Sequence, residues 1–345
     1  ASKEPKRKAR PGGAAESGGG IVKVYSNQVC CGSYACLNVI QDSAIDVSLF
    51  ELSTGTPFGI RHCEDEHFDR LLTTFRDPNQ GLDYALRLWG YDVTAVSVPS
   101  CQKCLDLLRN HGPGRVVLGP VNMGGLEYYP NAAMLHRMDH YLALDYHSDR
   151  EIICTDSEGL SGLQVTREHL ENWINVDGIP EAQQRFTLRW IRYQRAWDIA
   201  EILAASLRRA TGHLQEAEVC GQGAEAVRSC LRYLSQHSGF QWRLPFLYDL
   251  EYLYQRKCLF QVLLTKLQNK GLLASEQTDP LRRTVEEQQS LLNTVYRELR
   301  WGAEFNETPL LRFAELEQTL TASAAQCAGL LPEQGGTPLS AGHNF

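Results

Sequence analysis

The chain has 345 residues, 43% hydrophobic and 22% charged, with a formal net charge of −7 at pH 7. That length gives room for two domains of ordinary size and a real core, and the acidic balance removes the electrostatic basis for general nucleic-acid binding. No apolar stretch approaches the roughly 20 residues that span a bilayer, and the N-terminus lacks the apolar core of a secretory signal. The expectation is therefore a cytoplasmic protein without a membrane partner, whose eleven cysteines, odd in number and irregularly spaced, stay reduced.

In chain order, residues 1–20 are basic and then rich in Gly, Ala and Ser, which reads as a disordered tail. Lys6 to Lys8 (KRK) fits a solvated tail, with a localisation signal as the alternative. From Cys31, CGSYACLNVI is apolar nearly all round and predicts a buried helix with Cys31, Gly32 and Ser33 in its first turn. Up to about residue 178, short β-type runs at 93–98, 115–121, 140–146 and 151–156 alternate with helical stretches at 65–76, 80–89, 101–110 and 167–174. From about Pro180 the strand signals stop, and helical periods run from RFTLRWIRYQRAWDIAEILAASLRRA through to TPLLRFAELEQTLTASAA. EQGGTPLSAGHNF closes the chain without a period. The predicted architecture is α+β followed by all-helical: a tail over 1–20, an α+β domain over 21–178, a helical domain over 179–326 and a flexible tail over 327–345.

Cys30, Cys31 and Cys36 raise the first question of chemistry. A thiol in a helix's first turn meets unsatisfied backbone N–H groups and the positive end of the dipole, both of which favour thiolate. Gly32 would let a substrate approach the backbone, and the nearby N–H groups would form an oxyanion hole. The competing reading is a packing cysteine, since free Cys is commonly buried. Cys30 precedes the helix and Cys36 lies deeper in it, so Cys31 is the candidate nucleophile.

A nucleophilic thiol needs a base, and the base needs an orienter. DHYLALDYHSDREIICTDSEG reads as a β-hairpin. With its turn centred on Ser148, Tyr146 would pair with Arg150, Leu144 with Ile152, and His140 with Asp156. Opposed residues share a face about 5 Å apart, so an imidazole and a carboxylate would sit side by side. The alternative for His140 is a strand-end histidine without a role.

The order Cys, His on a strand, Asp on the next strand is that of papain-like folds. More specifically, the chain resembles the butirosin biosynthesis protein H family, whose N-terminal domain is a cysteine-peptidase-like acyltransferase. CCGSYACLNVI resembles that family's cysteine block, with Cys31 at the cysteine position. LFELSTGTPFGI (49–60) resembles its following glycine-rich block. GPVNMGGLEYYPNAAMLHRMDHYLALDYHSDREIICTDSEG (119–159) resembles the block that carries His and Asp, at His140 and Asp156. Two departures stand out: Cys30 occupies the position of a family His, and FELSTG replaces a Gly-Leu-Gly. In papain-like peptidases a Gln six residues before the Cys assists the oxyanion hole; Tyr25 stands there, leaving Gln28 as the nearest candidate.

The resemblance implies an amide-forming acyltransferase with a Cys31–His140–Asp156 triad, acting in natural-product biosynthesis without a bound cofactor. The acyl group would arrive as a thioester on the phosphopantetheine arm of an acyl or peptidyl carrier protein and leave on an amine-bearing small molecule. It places Asn122, Tyr128 and Tyr129 in a substrate-facing loop, for which a capped surface turn is the plainer reading. It leaves room for a homodimer. The same triad would also serve a peptidase or thioesterase, and a non-catalytic binding protein of this fold is the third alternative.

Two other features invite chemistry. CQKC at Cys101 to Cys104, with HCEDEH at His62 to His67, offers zinc-type ligands, although the second group lacks a standard spacing and the first opens an amphipathic helix. Arg185, Arg189, Arg192 and Arg195 recur at helical intervals, as a dock for an acidic carrier protein or as a solvated face.

Overall fold

The computed structural model describes residues 31–63, 71–130, 132, 135, 136, 138–157, 160–176, 179, 186–237 and 242–331. Gln28, Cys30, Arg185, Glu64 to His67 and the expected N-terminal tail lie outside them. In chain order the elements are α1 (Cys31–Ile40), α2 (Val47–Thr54), β1 (Ile60–His62), β2 (Leu72–Thr74), α3 (Pro78–Leu88), β3 (Tyr91–Ser97) and α4 (Cys101–His111). There follow β4 (Gly114–Asn122), a short 3-10 turn at Met123–Gly125, β5 (Asp139–Ser148), β6 (Glu151–Asp156), β7 (Ser161–Gln164), α5 (Arg167–Trp173) and β8 (Thr187–Tyr193). The helices α6 (Ile199–Val219), α7 (Ala224–Gln236), α8 (Arg243–Asn269), α9 (Ser275–Arg300) and α10 (Thr308–Gly329) complete the chain. The architecture is α+β, and no described helix is long and apolar enough to cross a membrane.

The chain divides into two compact units, one comprising Ala1–Val47 with Leu86–Trp197, the other Ser48–Ala85 with Asp198–Phe345. The expected division at 178/179 is thus corrected twice. Thr187–Tyr193, expected to be helical, is β8, and it lies between β3 and β4 in a six-stranded antiparallel sheet of order β3-β8-β4-β5-β6-β7. Leu188 enters the core beside α4 and α5, while Arg189, pointing the other way by alternation, is only 1% exposed. Over Thr187–Arg189 both faces of β8 are covered, which is why that part of the sequence lacks an apolar/polar alternation. The second correction is that Ser48–Ala85 belongs with the helices.

In the sheet unit, α1 packs on β4, β5, β6 and β8. A core of Val116, Leu118, Leu142, Leu144, Cys154 and Leu188 meets Cys104 and Leu105 of α4 and Leu170 and Trp173 of α5. Ser100 caps α4 by accepting from the Lys103 N–H, and Thr166 does the same for α5 from His169.

In the helical unit, α8 packs on α9, α9 on α10, and α10 on α6 and α7. The stretch expected as a helix over 65–76 instead holds β2, paired antiparallel with β1 against α7 and α8. Asp249 of α8 fixes it: one buried carboxylate oxygen accepts from the Leu71 and Leu72 N–H groups at 2.8 and 2.9 Å. That long-range carboxylate supplies partners the local sequence could not reveal. Helix α10 runs to Gly329, so residues 327–329, expected in the C-terminal tail, are helical; the rest of that expected tail beyond Leu331 lies outside the described residues.

Candidate active site

Cys31 opens α1 and is partly exposed, whereas Gly32 and Ser33 behind it are buried. The first N–H groups of a helix lack intrahelical acceptors, so the turn that carries the thiol also offers donors beside it. β5 contributes His140, 3% exposed, and β6 contributes Asp156, fully buried. His140 Nε2 lies 2.8 Å from Asp156 Oδ1. The Cys31 thiol stands near enough to the ring for the two groups to shift each other's protonation.

The register behind this pairing differs from the expected one. Asp156 stands opposite Leu142 and Tyr146 opposite Ile152, and after a register shift beyond Tyr146 the hairpin closes with Ser148 opposite Glu151 around Asp149 and Arg150. The pairing is therefore displaced by two positions. Because side chains alternate with a period of two, an even displacement keeps His140 and Asp156 on the same face as diagonal neighbours.

Electrostatics divide the roles. Burial raises the Cys31 thiol above its ordinary value, and the hydrogen bond and charge of His140 work against that rise. For His140, burial alone would lower the imidazolium pKa; hydrogen bonds to Asp156 and Cys31, with their charges, outweigh it and raise the ring to about 10. Asp156 thus favours a protonated ring, and that charge opposes, without overcoming, the rise that burial gives the Cys31 thiol.

Tyr128 and Tyr129 complete the carboxylate's surroundings. Tyr128 Oη donates to Asp156 Oδ2 at 2.6 Å, and Tyr129 Oη donates to the same oxygen at 3.2 Å, lying 3.4 Å from His140 Nε2. Ser157 Oγ donates to Oδ1 at 3.2 Å. Burial raises the Tyr128 phenol first, with Cys154 and Asp156 adding to it, so it remains a donor. The two tyrosines expected to face substrate hold the Asp156 carboxylate through their hydroxyls. Asn122 is engaged at both ends, Oδ1 accepting from the Gly124 N–H at 3.0 Å and Nδ2 donating to the Asn175 carbonyl at 2.9 Å. This is the capped-turn reading, and it fixes the loop that presents the tyrosines.

One residue with a positioning role stood in the sequence only as part of the basic stripe. Arg189 Nη1 donates to the Gly119 carbonyl at 3.1 Å, at the β4 irregularity between Leu118 and Val121, directly beside the pairing of Val121 with His140. Among the described residues the basic stripe is not on a helix: Arg189 is buried in the sheet, and Arg192 on β8 pairs with Asp92. Cys101 and Cys104 pack in the core, and burial pushes the Cys104 thiol up to about 12. Among the described residues no cluster of His, Cys, Asp and Glu is arranged to hold a metal ion.

No family model matches the chain. It is 33% identical over 139 residues to an uncharacterized protein, YobF, of Bacillus subtilis (strain 168). That similarity covers 39% of this chain and 44% of the relative, so the match spans less than half of the relative's length.

Proposed function

We propose that the sheet unit is a papain-like cysteine acyltransferase that moves an acyl group from a carrier-bound thioester to an amine through an acyl-Cys31 intermediate. The observation that carries the reading is the convergence of three side chains: His140 Nε2 lies 2.8 Å from Asp156 Oδ1, the ring acts electrostatically on the Cys31 thiol, and that thiol stands at the start of a buried helix. The reactive form holds one proton across thiol and ring, a thiolate beside an imidazolium. The thiolate adds to the thioester carbonyl, and backbone N–H groups at the start of α1 face the developing oxyanion. Collapse breaks the C–S bond to the phosphopantetheine arm, whose sulfur takes the proton from His140. The neutral imidazole is then the base for the amine, which adds to the acyl-enzyme, gives up its proton to His140 and leaves as an amide. Thiolate and imidazolium are restored, and no bound cofactor enters any step. Exchange between thioesters is nearly isoenergetic and aminolysis is downhill, so a cysteine suits this transfer without nucleotide hydrolysis.

The carrier protein, an amine-bearing small molecule as acceptor, a cytoplasmic setting and a place in natural-product biosynthesis come from the resemblance described above. The decisive experiment incubates the protein with acyl-carrier thioesters and reads the intact mass. An acyl adduct that is absent in Cys31→Ala and is discharged by amines, but not by water, is the expected result. Rapid discharge by water would replace transfer with hydrolysis. No adduct, together with a Cys31 inert to alkylation, would leave a non-catalytic protein.

A further inference from the structure

Helix α8 carries apolar side chains on the face it turns to solvent as well as on the face it buries. Phe246, Leu250, Leu253 and Phe260 are buried, whereas Leu244 is 59% and Tyr248 44% exposed. These two lie one turn apart and so share a face, and the Tyr252 ring, a further turn on, stacks on Tyr248 at 6.5 Å. Trp301, directly after α9, is 83% exposed and stands at the same end of the unit. Helices α8 and α9 run antiparallel: Gln289 meets Cys258 and Gln261, Arg282 meets Gln268, and Arg243 Nη2 donates to the Ala303 carbonyl at 3.0 Å. That line of contacts brings Trp301 level with the turn of α8 from Leu244 to Tyr248. A tryptophan, a leucine and a tyrosine exposed side by side form the kind of apolar centre that interfaces have, unlike hydrophobic residues scattered singly.

The charges at the two ends of this patch select its partner. Arg243 stands at one end and the exposed Glu251, two turns on, at the other. Both lean to the α9 side. Arg243 does so through its bond to Ala303, and Glu251 because it lies seven residues before Cys258, which meets Gln289. A second copy laid antiparallel on this face, about a two-fold axis at Tyr248, sets each Tyr248 against its counterpart and Leu244 against Tyr252. Because a two-fold axis keeps the α9 sides together, each Arg243 then comes within side-chain reach of the other copy's Glu251. A parallel copy would instead bring arginine level with arginine and glutamate level with glutamate, which is unfavourable.

We infer that this face of the helical unit is a self-association surface, on which two copies of the chain pair through antiparallel α8 helices about a two-fold axis at Tyr248. The contact is one helix wide, so the dimer is reversible and fills at high concentration. It is independent of the chemistry at Cys31. Sedimentation of the full chain over about 1 to 300 µM, the range of weak reversible association, should show the mass rise from one chain toward two. Tyr248→Asp, at an exposed position, should stay monomeric at the highest loading. Arg243→Glu and Glu251→Arg should each weaken association about tenfold or more by setting like charges together. An equimolar mixture of those two variants should restore it, because both charge contacts of the mixed dimer then join opposite signs. If Arg243→Glu does not fold, Tyr248→Asp and Glu251→Arg decide. A chain monomeric at every loading, dimers that survive Tyr248→Asp, or a mixture no tighter than its components would overturn the assignment. Flotation of a monomeric chain with phosphatidylglycerol vesicles, lost in Trp301→Ala, would overturn it in favour of a lipid surface.

Discussion

On the Cys31 sulfur two opposing effects meet, burial raising the thiol pKa and His140 lowering it, with burial the larger. Cys104 and Cys154 feel burial too, and both are raised, but the groups that act on them are another thiol and a carboxylate, which push the same way. Cys31 alone of the three has a cation to offset its desolvation. Its alkylation by iodoacetamide should follow a pH curve with a midpoint above the ordinary thiol value of 9.0. His140→Ala removes the offset and leaves the burial, so the midpoint should move further up, and the reaction at pH 8 should slow by about tenfold or more. A variant whose midpoint stayed level or fell would show that the ring does not act on the thiol. The tyrosine pair works one step back: by holding Asp156 Oδ2, Tyr128 and Tyr129 leave Oδ1 directed at the ring.

Strands carry these side chains to each other, and the critical spacing is that between β4 and β5. A Cβ on Gly119 would stand 2.4 Å from Tyr141 Cδ1 and 3.0 Å from the His140 carbonyl oxygen. Tyr141 is 1% exposed and has nowhere to go, so the strand bearing His140 must give instead. Gly119→Ala should cost about 1–3 kcal/mol of stability by overpacking, read as a lower urea midpoint. It should also slow Cys31 acylation by about 10–100-fold through a displaced imidazole. If both stayed at wild-type values, the close approach of β4 and β5 would not be what sets the ring. Much at this scale was legible beforehand: α1, α4 and the long helices follow from their apolar periods, and the shared face of His140 and Asp156 survived an error of two in register because strand parity repeats every two residues. β8 was not legible. Its Arg189 bonds a carbonyl 70 residues away, and a buried arginine with a distant main-chain partner reads, in isolation, as one turn of a basic helix. Tyr128 and Tyr129 were visible as loop aromatics, but their target lies 28 and 27 residues on, and no local pattern points to it.

Across the molecule, two buried histidines shifted in opposite directions set how stability depends on pH. His140, in the sheet unit, is raised from 6.5 to about 10. Between those values the folded state binds more protons than the unfolded chain, so stability is fully present below pH 6.5 and is lost as pH rises toward 10. His213, in the helical unit, is lowered from 6.5 to about 4, by burial first and then by the Arg209 guanidinium, while its Nδ1 lies 2.9 Å from the Gly55 carbonyl. Between pH 6.5 and 4 the unfolded chain binds the extra proton, so stability is lost on acidification. The two limbs leave a maximum near pH 6.5, with each worth on the order of a few kcal/mol. Urea midpoints measured at pH 4.5, 6.5 and 9.5 should trace that peak. Asp156→Asn should flatten the alkaline limb and leave the acid one, and His213→Gln should do the reverse, because each histidine acts within its own unit. A midpoint that did not change between pH 6.5 and 9.5 in the wild type would mean that Asp156 does not hold His140 as a cation, and the thiolate at Cys31 would lose the charge that supports it.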